Sequence, residues 1–213
     1  MSQIDIFGNN EENANSSARF NTLNHITNGE YIFIPDFYEK AESDHYLFLL
    51  RNQIDWQQES MNMYGKRINF PRLTAWYGDN DKPYSFSGIT LEPLHWLPEL
   101  LEVKKKIETA AHTEFNSVLL NLYRNGNDSI SWHTDAEPEL GVNPIIGSVN
   151  FGETRKFQLR HKHTLGKIEI DLTHGSALIM QGELQHYWQH QVPKTNKPIK
   201  ERINLTFRHI KNV

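Results

Sequence analysis

His133-Thr134-Asp135 places an imidazole and a carboxylate two residues apart, and in an extended segment such residues share a face. By itself His-x-Asp is a common product of a polar turn, so a metal reading needs a third ligand from elsewhere. His190 qualifies, since it sits in a strand-like run bounded by Pro193. Two histidines and one carboxylate on one side of an ion leave its other positions open, as a non-haem Fe(II) oxygenase needs for co-substrate and oxygen. His161 and His163 share the i, i+2 spacing and His186 lies four before His190, but neither pair brings a carboxylate at matching spacing. They read as surface residues or as supports for the ligands.

The second group capable of chemistry is Arg202-Ile203-Asn204-Leu205-Thr206-Phe207-Arg208. On a strand, Arg202, Asn204, Thr206 and Arg208 fall on one face and Ile203, Leu205 and Phe207 on the other. One reading is an ordinary strand whose polar face is wet. The other turns that face into a barrel, where two unpaired guanidiniums would cost several kcal/mol and so call for an anionic guest. Six residues at ~3.3 Å separate the two backbones by about 20 Å, and long side chains leaning inward span a short dicarboxylate. Arginine suits that task through bidentate pairing with carboxylates. Asn121 and Tyr123, again i and i+2, lie just upstream of His133 and can donate to the same acid.

Several elements must carry these groups. Tyr31 to Ile34 reads as a short strand stopped by Pro35, at which order begins. Helices are expected from about Lys40 to Gln53 and from Pro98, a residue favoured at a first helical position, to about His112. Strand-like runs follow at 117–123, 145–150, 156–161, 167–172, 177–180, 185–191 and 203–208, separated by turn signals such as Asn125-Gly126-Asn127-Asp128 and His174-Gly175. Short strands behind two helices predict an α+β fold, a jelly roll or barrel with N-terminal supporting helices.

Composition narrows the chemistry further. The 213 residues contain no cysteine, which excludes disulfides, thiolate metal sites and cysteine nucleophiles. Hydrophobic residues at 38% can fill a core, so the chain is not a disordered one. With no leader-like or membrane-length apolar run, the expectation is an intracellular protein, cytoplasmic in a bacterium or nuclear in a eukaryote. The net charge of −4 conceals an asymmetry: residues 1–60 carry −7 and residues 61–213 carry +3. The basic clusters, at Arg155, Lys156, Arg160, Lys162 and Lys167 and at Lys194, Lys197 and Lys200, form either a solvated surface or a phosphate-facing side.

With the ligand set and the arginine strand assembled, the sequence resembles the AlkB family of Fe(II)/2-oxoglutarate dioxygenases, and most closely its duplex-DNA repair branch. The likeness covers about residues 64 to 210 through Pro71-Arg72, Tyr77-Gly78-Asp79, Tyr84-Ser85-Phe86-Ser87-Gly88, Asn121-Leu122-Tyr123, His133-Thr134-Asp135, Ser148-Val149-Asn150-Phe151-Gly152 and Asn204-Leu205-Thr206-Phe207-Arg208. It implies a double-stranded β-helix, with Fe(II) on His133, Asp135 and His190. It implies 2-oxoglutarate on Arg202 and Tyr123 at one carboxylate and on Arg208 with Asn121 at the metal-chelating end, Asn204 and Thr206 lying on the same strand face. The activity implied is O2-dependent decarboxylation of 2-oxoglutarate to succinate and CO2, coupled to oxidation of an N-methyl group on a base and release of formaldehyde. Substrates would be 1-methyladenine and 3-methylcytosine in single- or double-stranded DNA, with RNA as the alternative.

Under that resemblance Trp76, Tyr84 and Phe86 form an aromatic group for stacking on an extruded cationic base, and Glu137 is placed to read an exocyclic amine. Without it, plain core packing is the simpler reading of these aromatics. Tyr64 falls where the duplex branch carries a finger that fills the gap left by a flipped base. Arg155, Arg160 and Lys162, with His161, fall on a phosphate-contacting stretch, and Arg72 joins the expected substrate contacts. The implied layout is a mobile tail over 1–27 and one domain over 28–213. Residues 28–115 form an extension with the nucleotide-recognition region, residues 116–213 form the jelly-roll core, and the protein is a monomer. A non-catalytic jelly-roll module that binds nucleic acid through its basic clusters is the reading from another class.

Overall fold

Residues 202–208 alternate polar and apolar, and the fold buries both faces of the strand they form. The computed structural model describes residues 21–63, 65–79, 84–86, 89–91 and 93–211. Along the chain come β1 (Leu23–Ile26), β2 (Gly29–Ile34), α1 (Lys40–Gln53), β3 (Ser60–Met63), β4 (Lys66–Asn69), β5 (Leu73–Gly78), β6 (Tyr84–Phe86), β7 (Ile89–Leu91) and α2 (Pro98–Ala111). Then follow β8 (Ser117–Tyr123), β9 (Ile130–His133), β10 (Ile146–Gly152), β11 (Arg155–His161), β12 (Lys167–Leu172), β13 (Ser176–Gln181), α3 (Leu184–Tyr187), β14 (Trp188–Val192) and β15 (Arg202–Arg208).

The strands assemble into a jelly roll. A seven-stranded antiparallel sheet runs β1-β2-β13-β10-β15-β8-β5, and a four-stranded sheet runs β12-β11-β14-β9. Two hairpins, β3-β4 and β6-β7, stand apart from both. In the larger sheet the pleat sorts side chains into two cores. Val118, Leu120, Leu122, Val149, Ile203, Leu205 and Phe207 pack under α1 and α2 with Leu50, Leu100, Val103 and Ile107. Tyr31, Leu119, Tyr123, Leu178 and Met180 face the smaller sheet and meet its Phe157, Leu159, Ile170 and Val192. Gly147 permits the close seat of α2, since a Cβ there would lie 2.8 Å from Ile107.

Local chemistry accounts for the helix ends. The Glu42 carboxylate accepts from the Glu39 amide at 3.3 Å at the start of α1. Pro98 opens α2, and His112 closes it in the left-handed region at φ 50°. Two expectations need correction. Order begins before Tyr31: β1 pairs with β2 across a turn in which Asn28 takes φ 55°, a conformation asparagine tolerates, so part of the expected tail is strand. The run 185–191 is not one strand but a helical turn followed by β14. Leu184 tucks beneath Gly29, and the Trp188 indole donates to the Thr27 carbonyl at 2.9 Å, so tertiary contacts override the strand pattern there. Among the described residues no helix is long and apolar enough to cross a membrane.

Candidate metal and anion site

The two histidines are cross-strand partners. β14 and β9 pair His190 with His133 and Val192 with Ile130, so two residues of β9 lie opposite one of β14. This bulge turns both Ile130 and His133 toward the interior, although three positions separate them. The imidazole centroids are 4.2 Å apart, and His190 also stacks on Phe157 at 5.3 Å. Asp135, two residues past His133 and beyond the end of β9, completes a group whose ligand atoms all lie within 4.8 Å of one another. Among the described residues this is the one such cluster of three or more metal-binding side chains.

Protonation favours a cation. The His133 Nδ1 faces the Ser131 carbonyl at 2.8 Å; a carbonyl can only accept, so Nδ1 carries the proton and Nε2 keeps its lone pair. Burial lowers the pKa of both imidazoles, that of His190 to about 3, which keeps them neutral and ligand-competent. Burial alone would raise the Asp135 carboxyl, but the Arg208 guanidinium beside it holds it at about 2. Three neutral-or-anionic donors of this kind fit a divalent first-row metal such as Fe(II).

Beside the triad opens a cavity of about 510 Å³ lined by Asn121, Tyr123, Arg202, Asn204, Thr206 and Arg208 as well as by the three ligands. The register explains this: β15 pairs Arg202 with Tyr123 and Asn204 with Asn121 on β8, so their inward faces coincide. Arg202 is 1% exposed, donates to the Asn150 Oδ1 at 2.5 Å and lies 5.0 Å from the Tyr123 ring, while its Nε and Nη1 have no partner. Burial, with Arg155 nearby, lowers this guanidinium to about 10. Such an incompletely paired cation in a cavity is the signature of an anion site. Arg208 is committed differently: its Nη2 donates to the Asp135 Oδ1 at 2.9 Å, a buried ion pair with a member of the triad.

Residues not singled out individually from sequence support the polar wall. Asn204 donates to the Ser148 hydroxyl at 2.9 Å and accepts from Thr206 at 3.0 Å. Gln185, 1% exposed, accepts from the Asp135 amide at 3.0 Å. Ser148 and Asn150 lie in a quoted motif but carry no charge or ligand chemistry to mark them. Gln185 carries no sequence signal, because its partner is fifty residues away.

The expected substrate contacts divide. Glu137 lines the cavity. Arg72 does too, but its buried Nε donates to the Asn121 Oδ1 at 2.7 Å, which makes it a brace for that amide. Trp76 is 3% exposed within the inter-sheet core and does not line the cavity, a correction to its expected stacking role; the inward face of β5 puts it there. Tyr64 and the side chains of Tyr84 and Phe86 lie outside the described residues. Aromatic surface at the cavity comes from Phe70, Tyr123 and Phe157. Arg160 sits on the outer face of the smaller sheet, 4.4 Å over the Trp132 ring and bonded to Gln189 at 2.8 Å.

Two members of the expected phosphate-contacting stretch, Arg155 and His161, are buried and bonded within the fold, while Lys162 stays exposed and bonds to a helical-turn carbonyl. The Arg155 guanidinium is buried and donates to the carbonyls of Asp128 at 2.9 Å and Pro193 at 2.6 Å. The buried His161 ring accepts from the amides of His163 and Thr164, and the Lys162 ammonium donates to the His186 carbonyl at 2.5 Å. Inward pleat positions and backbone partners, which sequence charge does not reveal, consume Arg155 and His161.

A family model described as the 2OG-Fe(II) oxygenase superfamily matches residues 30–208. The chain belongs to this superfamily and, within it, to the AlkB-related dioxygenases. It is 44% identical over 186 residues to the alpha-ketoglutarate-dependent dioxygenase alkB homolog 3 of Bos taurus, covering 83% of this chain and 64% of that protein. It is 36% identical over 182 residues to the DNA oxidative demethylase ALKBH2 of Homo sapiens, covering 80% and 70%. The chain thus spans a little under two thirds of the length of the homolog 3 proteins. Among solved structures, OsALKBH1 superposes with a TM-score of 0.61 at 18% identity, covering 87% of this chain and all of that one, a likeness of fold.

Proposed function

We propose that the protein is an Fe(II)- and 2-oxoglutarate-dependent dioxygenase that removes N-methyl groups from damaged nucleobases, 1-methyladenine and 3-methylcytosine, in DNA. The observation that carries this reading is the convergence of His133, Asp135 and His190 with Arg202 and Arg208 on one cavity. Relatives named as an alpha-ketoglutarate-dependent dioxygenase and a DNA oxidative demethylase support it.

His133, Asp135 and His190 would hold the iron. The iron, when bound, supplies O2 activation coupled to decarboxylation of 2-oxoglutarate. Arg202 receives one carboxylate of the co-substrate on its unpartnered nitrogens, beside Tyr123. Arg208 meets the metal-side carboxylate while orienting Asp135, and Asn121, braced by Arg72, lines the space between. Within the cavity Phe70 and Glu137 offer an aromatic face and a carboxylate to a flat, positively charged base. Arg160, outside the cavity, is left for a backbone phosphate. All five metal and anion groups come from one chain, and the reading takes the protein as a monomer. A nucleic-acid substrate is in keeping with the cytoplasm of a bacterium or the nucleus of a eukaryote.

The test is turnover. Protein with Fe(II), ascorbate and 2-oxoglutarate is expected to release formaldehyde from a 3-methylcytosine oligonucleotide and leave an unmodified base. Absence of product on single- and double-stranded DNA, with metal demonstrably bound, would reject the proposal. A matched RNA oligonucleotide turning over much faster than DNA would move the substrate to RNA.

A further inference from the structure

The three metal-binding side chains are held by different means. His133 and His190 are locked by sheet register, being cross-strand partners. Asp135 lies beyond β9, so no strand ladder takes its amide hydrogen or sets its direction. Two groups do this work. Arg208 grips the carboxylate, and the Gln185 side chain, from the helical turn α3 that leads into β14, accepts from the backbone amide at 3.0 Å.

From this geometry we infer that Gln185 is a positioning residue of the metal centre: its amide carbonyl fixes the backbone of Asp135 so that the carboxylate joins the two imidazoles. The inference rests on the reading of the triad as a metal site. The orientation of the Gln185 amide is determined, because only its oxygen can accept from the Asp135 N–H. Its nitrogen points instead to the Met180 sulfur at 3.7 Å, a weak acceptor. The platform beneath it is well anchored. Lys162 donates to the carbonyls of both Gln185 and His186, at 3.4 and 2.5 Å, and Leu184 is fully buried. A buried amide whose better bond goes to a metal ligand's backbone acts on the metal through that ligand, as outer-sphere partners do elsewhere.

Co(II) titration of the full chain, followed by calorimetry and by visible absorption, tests this with a readout apart from turnover. The parent is expected to bind one Co(II), and Asp135→Ala to lose it; failure of that pair of results would remove the metal reading itself. Gln185→Met keeps the volume and removes the acceptor, and Gln185→Asn keeps an amide too short to reach. Each is expected to weaken Co(II) binding roughly 10- to 100-fold and to shift the Co(II) absorption, with the apo far-UV circular dichroism unchanged. Binding within two-fold of the parent in either folded variant, with the parental absorption, overturns the inference. So does failure of both to fold, which would make Gln185 a folding residue.

Discussion

The central strands of the seven-stranded sheet are covered on both faces: helices cover one side and the smaller sheet the other, and every residue of β8 is buried. The four-stranded sheet keeps an outer face in water, where Lys156 pairs with Glu169 at 3.0 Å and Gln158 bonds to Gln191 at 2.7 Å. The site is divided the same way. The larger sheet contributes the anion grip, through Arg202, Arg208, Asn121 and Asn204 on two strands in full register. The smaller contributes the two histidines, through a bulged pair at its edge. A charge can be kept ready for a guest where rigid packing surrounds it, whereas an ion's ligands need a local break in the ladder to aim them.

The largest effect should come from the loop-held ligand. Asp135→Ala is expected to bring metal binding and turnover below detection while far-UV circular dichroism stays near the parental spectrum; bound metal in that variant would break the division. The doubly covered sheet should be the costliest to hollow out. Leu120→Ala, fully buried between sheet and helices, is expected to destabilise by about 2–5 kcal/mol in urea unfolding. Third, Arg202→Met should raise the half-saturating 2-oxoglutarate concentration roughly 10- to 150-fold, the equivalent of a charge-assisted bond of ~1.5–3 kcal/mol. The apo protein should become no less stable, since a buried and incompletely paired cation is replaced by an apolar side chain. A large loss of apo stability would show that Arg202 serves the fold.

Acid sensitivity separates the sheets next. The Asp135 carboxyl sits at about 2 in the folded chain against 3.8 ordinarily. Its folded pKa is depressed, so its stabilisation is complete above about pH 4 and is lost as pH falls toward 2. Asp135→Asn should flatten that part of the stability curve, measured as urea midpoints between pH 5 and 2; an unchanged slope would contradict the Arg208 pairing. The smallest effect belongs to the wet face. Lys156→Ala removes half-exposed pairs with Glu169 and Asp171 and should cost less than about 1 kcal/mol.

Much of this arrangement was legible in the chain. The apolar run in 117–123 and the alternation in 202–208 mark strands, and Pro98 marks the start of α2, because those signals are local. His133, Asp135 and the two arginines announce themselves by residue type. Local rules fail where distant contacts decide. The run 185–191, bounded by Gly182 and Pro193, reads like a strand, yet Gly29 and Thr27 on the β1–β2 hairpin capture its first half as a helical turn. Arg155 looks like surface charge, yet it is buried and turn carbonyls claim it. Trp76 looks like a stacking face, yet the pleat of β5 sends it into the core.

Sequence alone determined the chemistry available: two imidazoles, a carboxylate, paired guanidiniums and no thiol, on segments whose periodicity assigns each a face. Tertiary structure decided which of those groups meet. A bulge at the edge of one sheet and a register across the other bring residues 121 to 208 around one cavity. A Gln fifty residues away steadies the one ligand no strand holds. Side-chain type is a property of single residues, but register, bulges and the partners of buried amides arise only when distant segments pack.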